Sequence, residues 1–506
     1  EHLENIGGFL MAGSTPEPDH HGQWVLSRVL SGGIMTGCIL LVITLARYII
    51  LAQTPLDLDV EEAQYWLWSQ SPDAGYFSKP PMIAWVIGLG TGIFGNTVFG
   101  VKAAAPLIQL ISALLIGRVA RDMAGVMAGR LAMLFWITLP ASAIAGFIIS
   151  TDSPMLMFLL AMLVVIAPLA RGEAITPGRA FLAGIFAGLA MMSKYAALYL
   201  PAGVVLWWLW QGRHCMRLSP RHLVLFVIGT VISMTPNLIW NLNHGFVTVA
   251  HLEHNANLEG GTLSLMRSLG FLAAQAGIVG PVMLVLVVMA IAASWRLVSA
   301  RFWIALALPA ISVISVQAFF SNANANWAVA SWIPLVILTS TVLAQRWHGW
   351  FRIMGIAALS TNVALMLVLM MASLAGSLGP LTPASDPLRR LRGWPVHSQD
   401  LSAFAEKHNA GAVITDRRRD AAKFHWGLRG TGISVELIDA DGIPANHYEQ
   451  RHPWQPVAGR RVVLVVGGEA PVSRPGLTLT GEVMPSSLRI SRNRSRDFSF
   501  VLALEE

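Results

Sequence analysis

Long apolar runs broken by short polar clusters dominate residues 28–380. The first apolar run, about 29–51, is long enough to cross a bilayer, where roughly 20 apolar residues are needed. After it comes DLDVEEAQYWLWSQSPDAGYFSKPP at 57–81, dense in carboxylates and aromatic rings and closed by Lys79 and a Pro-Pro pair. The next run, MIAWVIGLGTGIF, has about thirteen residues, too short for an ordinary span, and reads as an interfacial or re-entrant helix. Further runs then alternate with polar clusters as far as about 376.

The basic residues order these runs. Arg118, Arg121, Arg130, Arg171, Arg179, the stretch GRHCMRLSPRH, Arg296, Arg301, Arg346 and Arg352 all fall on one side of the alternation. By the positive-inside bias that side is cytoplasmic, which puts the N-terminus inside and 57–81 outside. Counting this way gives about 11–13 spans. From about 381 the pattern changes to charged, punctuated sequence. DLSAFAEKHNA has helical spacing, while GAVITD and RRVVLVVGG are short β-branched runs bounded by glycine. The expectation is a polytopic α-helical membrane protein with a C-terminal extracytoplasmic α/β domain. Its parts are an N-terminal tail (1–27), a transmembrane catalytic domain (28–380) with a first outer loop at 52–100, and a soluble periplasmic domain (381–506).

Composition supports that division. Of 506 residues 54% are hydrophobic and only 12% charged, with 18 Trp and 21 Met, which excludes a soluble globule and fits helical spans better than a β-barrel. Two cysteines, Cys38 and Cys215, lack a CxxC partner and indicate neither a disulfide framework nor a metal knuckle. No P-loop or dinucleotide fingerprint marks the cytoplasmic side.

The informative residues break the charge rule. Lys79, Lys194 and Arg267 lie on the outer side together with Asp59, Glu61, Glu62 and Asp152, and ionisable groups kept there are functional candidates. Carboxylates can deprotonate an acceptor hydroxyl, and cations can stabilise phosphate charge. Tyr65, Trp66, Tyr76 and Phe77 offer faces to a sugar ring or an edge to a lipid. Several residues also have plainer roles open to them. Asp152, in TDSP, can cap a helix; Lys194 and Lys102 can snorkel; and SNANANW at 321–327 can be an ordinary turn. His251 and His254 have a spacing compatible with a metal, although solvated loop histidines are commoner. A divalent metal is therefore compatible with the sequence but not required, and no cofactor is called for.

The segments VEEAQYWLWSQSPDAGYFSKPPMIAW, ISTDSP, GLAMMSKYAALY and IPANHYEQRHP resemble bacterial C-type membrane glycosyltransferases that use polyprenyl-phosphate sugars. These are relatives of the protein O-mannosyltransferases and of the lipid A aminoarabinose and galacturonic acid transferases. The resemblance implies that the Glu61-Glu62 pair holds the catalytic carboxylate, Asp152 is the second acid, and Lys79 contacts the lipid phosphate. Glu61 stands where the family has Asp, which displaces the carboxylate by roughly an ångström and keeps Asp59 as a second candidate base. The function implied is inverting transfer of a sugar from a polyprenyl-phosphate donor to an envelope lipid, glycan or protein acceptor at the periplasmic face of the bacterial inner membrane, with no nucleic-acid partner. A lipid-linked-sugar flippase or a non-catalytic scaffold is the alternative.

Overall fold

The computed structural model describes residues 20–211, 218–248, 263–379, 386–439, 441–442, 444–468, 474–491 and 494–506. Its helical body begins with α1 (His20–Gln53), followed by α2 (Val60–Gln70), α3 (Met82–Phe94), α4 (Val98–Lys102), α5 (Ala104–Thr138), α6 (Pro140–Ala145) and α7 (Asp152–Ile166). Next come α8 (Pro177–Ser193), α9 (Tyr199–Gln211) and α10 (Pro220–Asn243). The body closes with α11 (Leu265–Val279), α12 (Pro281–Ser294), α13 (Val298–Phe320), α14 (Trp332–Gln345) and α15 (Gly349–Ala375). Among the described residues seven stretches are long and apolar enough to span a membrane, with three shorter apolar helices beside them. The bent pair α11 and α12 adds an eighth.

Two breaks show why length alone undercounts the passes. Within α5, Ala124 and Gly125 leave helical geometry, Gly125 with φ +82°. In a straight helix Gly117 and Gly129 would stand roughly 18 Å apart. Here a methyl group on Gly129 would lie 2.8 Å from the Gly117 carbonyl oxygen. The chain therefore folds back at Gly125 into two antiparallel arms, with Arg118, Arg121 and Arg130 near the turn. Between α11 and α12, Gly280 takes φ +94° and Pro281 cannot continue the hydrogen-bond ladder, giving a 105° bend. Asn362 Nδ2 donates to the freed Val279 carbonyl at 3.0 Å, which satisfies it inside the apolar body.

Small residues let helices approach closely. Gly184, Gly188 and Gly229 line the contact of α8 with α10, where Thr230 and Ser233 donate to the carbonyls of Gly184 and Ile185, each at 3.2 Å. Trp136, Leu159, Phe302, Trp303 and Ile333 are buried in the main core of this body.

After the body come α16 (Trp394–Lys407), β1 (Ala412–Thr415), α17 (Arg418–Gly427), β2 (Ser434–Leu437), α18 (His447–Arg451), β3 (Arg461–Gly467), β4 (Leu477–Ser491) and β5 (Arg494–Glu505). The sheet has the order β2-β1-β3-β5-β4, parallel through its first three strands and antiparallel at β5 and β4. Every residue of β1 is buried, as expected for a central parallel strand covered on both faces.

This small α/β unit shares a core with the segment after the first span: Tyr65, Trp66 and Trp68 of α2 join Phe424, Trp426 and Tyr448. A buried polar lock reinforces the join. Asp57 accepts from Lys423 Nζ at 3.1 Å and from Trp426 Nε1 at 2.8 Å, and Lys423 also donates to the Leu58 carbonyl. The charged segment after the first span is thus a folded platform clamped between helical body and C-terminal unit.

Candidate active site

Helix α2 sets the site because of how it starts. The Asp59 side chain accepts from the Glu61 N–H at 3.2 Å, and Glu62 reaches back to the Asp59 N–H at 2.8 Å, forming a capping box. Glu62 is fully buried; it also accepts from the Ile149 N–H at 2.9 Å and faces Lys102 Nζ at 3.2 Å. Burial raises its pKa, while Lys102 opposes that shift. Oε1 of Glu62 thus joins α2 to the segment entering α7, while Oε2 closes the cap of α2 and faces Lys102 at the end of α4. Lys102, for which the sequence allowed a snorkelling role, is instead a buried counter-ion.

Glu61, one residue earlier, points elsewhere and stays half-exposed. Its Oε1 accepts from Arg418 Nη2 at 2.6 Å, and Arg418 Nε donates to Gln64 at 3.0 Å. The Tyr65 hydroxyl also bonds Glu61; its pKa is held well above the phenolic range, first by burial and then by the Glu61 and Asp152 charges. Asp152 opens α7, with Oδ1 2.7 Å from Lys194 Nζ and Oδ2 accepting from Asn326 at 2.9 Å. Lys194 reaches it from the C-cap of α8, where the backbone turns extended.

Lys79 completes the group. Burial and then the neighbouring Lys194 ammonium lower its pKa, and Glu61, Asp152 and Arg418 act on it as well. Among the described residues no carboxylate comes within ion-pair distance of Lys79. Three cations, Lys79, Lys194 and Arg418, therefore surround two carboxylates, Glu61 and Asp152. That excess of one positive charge suits a phosphate.

Behind Asp152 and Asn326 a cavity of about 240 Å³ runs along apolar side chains including Trp136, Leu156 and Trp332. A second cavity of about 250 Å³, bounded by Leu51, Asp59, Lys102 and Leu391, shares the wall residues Ile144 and Ile148 with it. Acyl or prenyl chains fit such surfaces; polar headgroups fit the charged end.

The other sequence candidates lie apart from this group or serve the packing. Trp66 donates to Asn96 at 2.9 Å and meets Trp426 edge-on. Tyr76 stacks on Trp68 at 4.6 Å, and its hydroxyl donates to the Trp68 carbonyl. Arg267, at the start of α11, donates to the Phe320 carbonyl at 3.3 Å. His251 and His254 fall outside the described residues. Among those that are described, no three His, Cys, Asp or Glu side chains are placed to hold a metal. Sequence reasoning missed Arg418 and gave Asn326 no specific partner. The DRRRD run at 416–420 was the available signal for the first, the Asn-rich turn for the second.

A helical membrane body that gathers at one edge two carboxylates and a lysine with no carboxylate in ion-pair reach among the described residues, capped by a small α/β unit, fits a class: membrane glycosyltransferases that use lipid-linked sugars. Comparison with known proteins agrees. Residues 78–240 match the family described as dolichyl-phosphate-mannose-protein mannosyltransferase. The lipid A galacturonosyltransferase RgtD of Rhizobium johnstonii is 32% identical over 425 residues, 81% of this chain and 86% of that protein. The ArnT structure from Cupriavidus metallidurans superposes with a TM-score of 0.64 at 14% identity, covering 93% of this chain and 98% of ArnT. The same protein bound to undecaprenyl phosphate gives the same score. Mycobacterial arabinofuranosyltransferase AftD shares the fold at a TM-score of 0.52 and 13% identity, over 92% of this chain and 40% of AftD. The chain belongs to the C-type membrane glycosyltransferase family. It is a glycosyltransferase of the bacterial inner membrane.

Proposed function

We propose that the protein transfers a uronic acid from a polyprenyl-phosphate carrier to lipid A, with its active site and C-terminal domain in the periplasm and its N-terminus in the cytoplasm. The observation that carries this reading is the grouping of Glu61, Asp152 and Lys79, close enough for both carboxylates to act on the lysine, with Asp152 on the wall of an apolar cavity. The 32% identity to a lipid A galacturonosyltransferase supports the acceptor and the sugar class. The one-sided distribution of Lys and Arg supports the orientation.

In the reaction the acceptor oxygen attacks C1 of the sugar from the face opposite the phosphate. Its proton passes to the Glu61 carboxylate, the C1–O bond to phosphate breaks, and the polyprenyl phosphate leaves with the electron pair. The anomeric centre inverts. Lys79 and Lys194 neutralise the leaving phosphate, which is where negative charge builds in the transition state. Asp152 holds Lys194 and, with Asn326, borders the bound sugar. Arg418 and Tyr65 fix the rotamer of Glu61.

The test is transfer by purified protein from radiolabelled polyprenyl-phosphate galacturonic acid to lipid A, with Glu61→Gln and Asp59→Asn beside the parent. Transfer by the parent and by D59N but not by E61Q is expected. Movement of donor lipid between leaflets without transfer would replace this reading with a flippase.

A further inference from the structure

Beside the Glu61–Arg418 pair, where Arg418 is close enough to act on His447, the C-terminal unit and the segment after the first span enclose another hollow. It holds about 430 Å³ and is bounded by Trp68, Asp73, Tyr76, Trp240, Gln450 and Arg451, among others. A neighbouring hollow of about 590 Å³ shares Arg451 and His452 with it and extends past Ser434, Glu436 and Gln455. Each lies within the roughly 300–1,000 Å³ range of small-molecule sites, and their common wall makes them a track longer than one sugar ring.

The lining has the chemistry of a saccharide site. Trp68 and Tyr76, stacked on each other, and Trp240, stacked on His244 at 4.1 Å, give the hollow a rigid aromatic wall with only their edges bordering it. Among the described residues the indole N–H groups of Trp68 and Trp240 are buried without a hydrogen-bond partner, although buried polar groups are normally satisfied. His447 and His452 stand neutral, each offering one donor and one acceptor. Charge settles the ligand class. Arg451 already faces Asp73 at 3.6 Å, so the hollow carries a balanced pair and favours hydroxyl groups over an isolated anion.

We infer that this track binds the sugar rings of the acceptor and so helps select it. The inference rests on the acceptor reading given above and deepens it: the reacting oxygen enters the charged group while neighbouring rings of the same glycan lie between α2, α10 and α18.

The experiment uses the full-length protein in detergent with a soluble glucosamine disaccharide as probe, followed by ligand-observed NMR, and with acylated and deacylated lipid A in transfer assays. Gln450→Ala and Arg451→Ala are expected to abolish disaccharide binding and raise the acceptor KM about tenfold, with donor KM and kcat within about twofold. Arg451→Lys should recover part of the loss. An equal shift with both acceptors assigns the contact to the glycan; a shift with the acylated form alone overturns it. Unchanged acceptor KM and unchanged disaccharide binding in both Ala variants also overturn the inference. Arg451-dependent disaccharide binding by a parent that transfers nothing to lipid A leaves the track standing and removes the acceptor reading.

Discussion

Arg418 Nη2 lies 2.6 Å from Glu61 Oε1, across 357 residues of sequence. The cation enters from the first turn of α17 and the carboxylate from the first turn of α2, so the C-terminal unit completes the charged group as well as covering it. Both side chains are more than a third exposed, so the pair should contribute less than about 1 kcal/mol to stability. Its effect on transfer should be larger, because Arg418 fixes a carboxylate that must meet the acceptor. Arg418→Ala is expected to lower kcat/KM about 10–100-fold, the range of a lost charge-assisted hydrogen bond, with Tm nearly unchanged. Arg418→Lys should restore the charge but not the bond to Gln64. Steady-state transfer kinetics with a thermal melt on each variant checks this.

Asp152 is held from two directions, by Lys194 at 2.7 Å and Asn326 at 2.9 Å. Asp152→Asn keeps the shape but removes the charge that balances Lys194. Transfer should fall by about 10–100-fold, the range of a lost charge-assisted hydrogen bond, while the protein still folds. Asn326→Ala should cost less, about tenfold, because Lys194 remains. Equal activity of D152N and the parent in a labelled-donor assay would remove Asp152 from the mechanism.

Glu61 and Glu62 are neighbours with opposite expectations. Glu61→Gln should abolish transfer and leave the fold intact. Glu62→Ala strips a buried carboxylate from two backbone N–H groups and leaves Lys102 as an uncompensated buried charge. Breaking such a pair costs about 3–5 kcal/mol, so low yield and a depressed Tm are expected. Replacing both partners, Glu62→Gln with Lys102→Met, should recover part of the loss, since no lone charge remains. Detergent melts of the single and double variants separate these outcomes.

Much of this arrangement was legible in the sequence for physical reasons. Apolar runs report the spans, and GAVITD and RRVVLVVGG became β1 and β3 because β-branched runs suit buried strands. That Lys79, Lys194 and Asp152 stand apart from the other charges was readable from their place on the side of the alternation opposite the Lys/Arg clusters, and the structure brings the three together. What the sequence did not carry was which acid joins the group around Lys79 and Arg418. Glu61 and Glu62 are adjacent in sequence, and the roughly 100° step between successive helical residues sends one toward Arg418 and the other toward Lys102. Contacts over long separations, such as Asp57 with Lys423 or Asn326 with Asp152, depend on tertiary packing and leave no local signature.

The join of the C-terminal unit to α2 also carries a pH dependence. His425 and His447 are held down to about 3, chiefly by burial and then by the charge of His452, and His452 itself is lowered. The His425 and His452 rings lie 4.6 Å apart, and His447 meets Trp68 edge-on. The groups facing them include Arg451, Arg418 and Glu436, and the two cations oppose protonation. A histidine whose folded pKa is depressed is neutral in the folded state and takes up a proton on unfolding. Its contribution is therefore fully present above the unfolded value near 6.5 and is lost as pH falls from there toward 3. At pH 5 each of His425 and His447 should have given up about 2 kcal/mol, enough to loosen the unit from α2 while the helical body, outside this cluster, holds. Hydrogen exchange of the C-terminal unit should rise steeply between pH 7 and 5 in the parent and less in His447→Phe, which keeps the ring contact with Trp68 but has no proton to gain. Identical exchange profiles for the two proteins across that range would mean that the cluster does not govern the join.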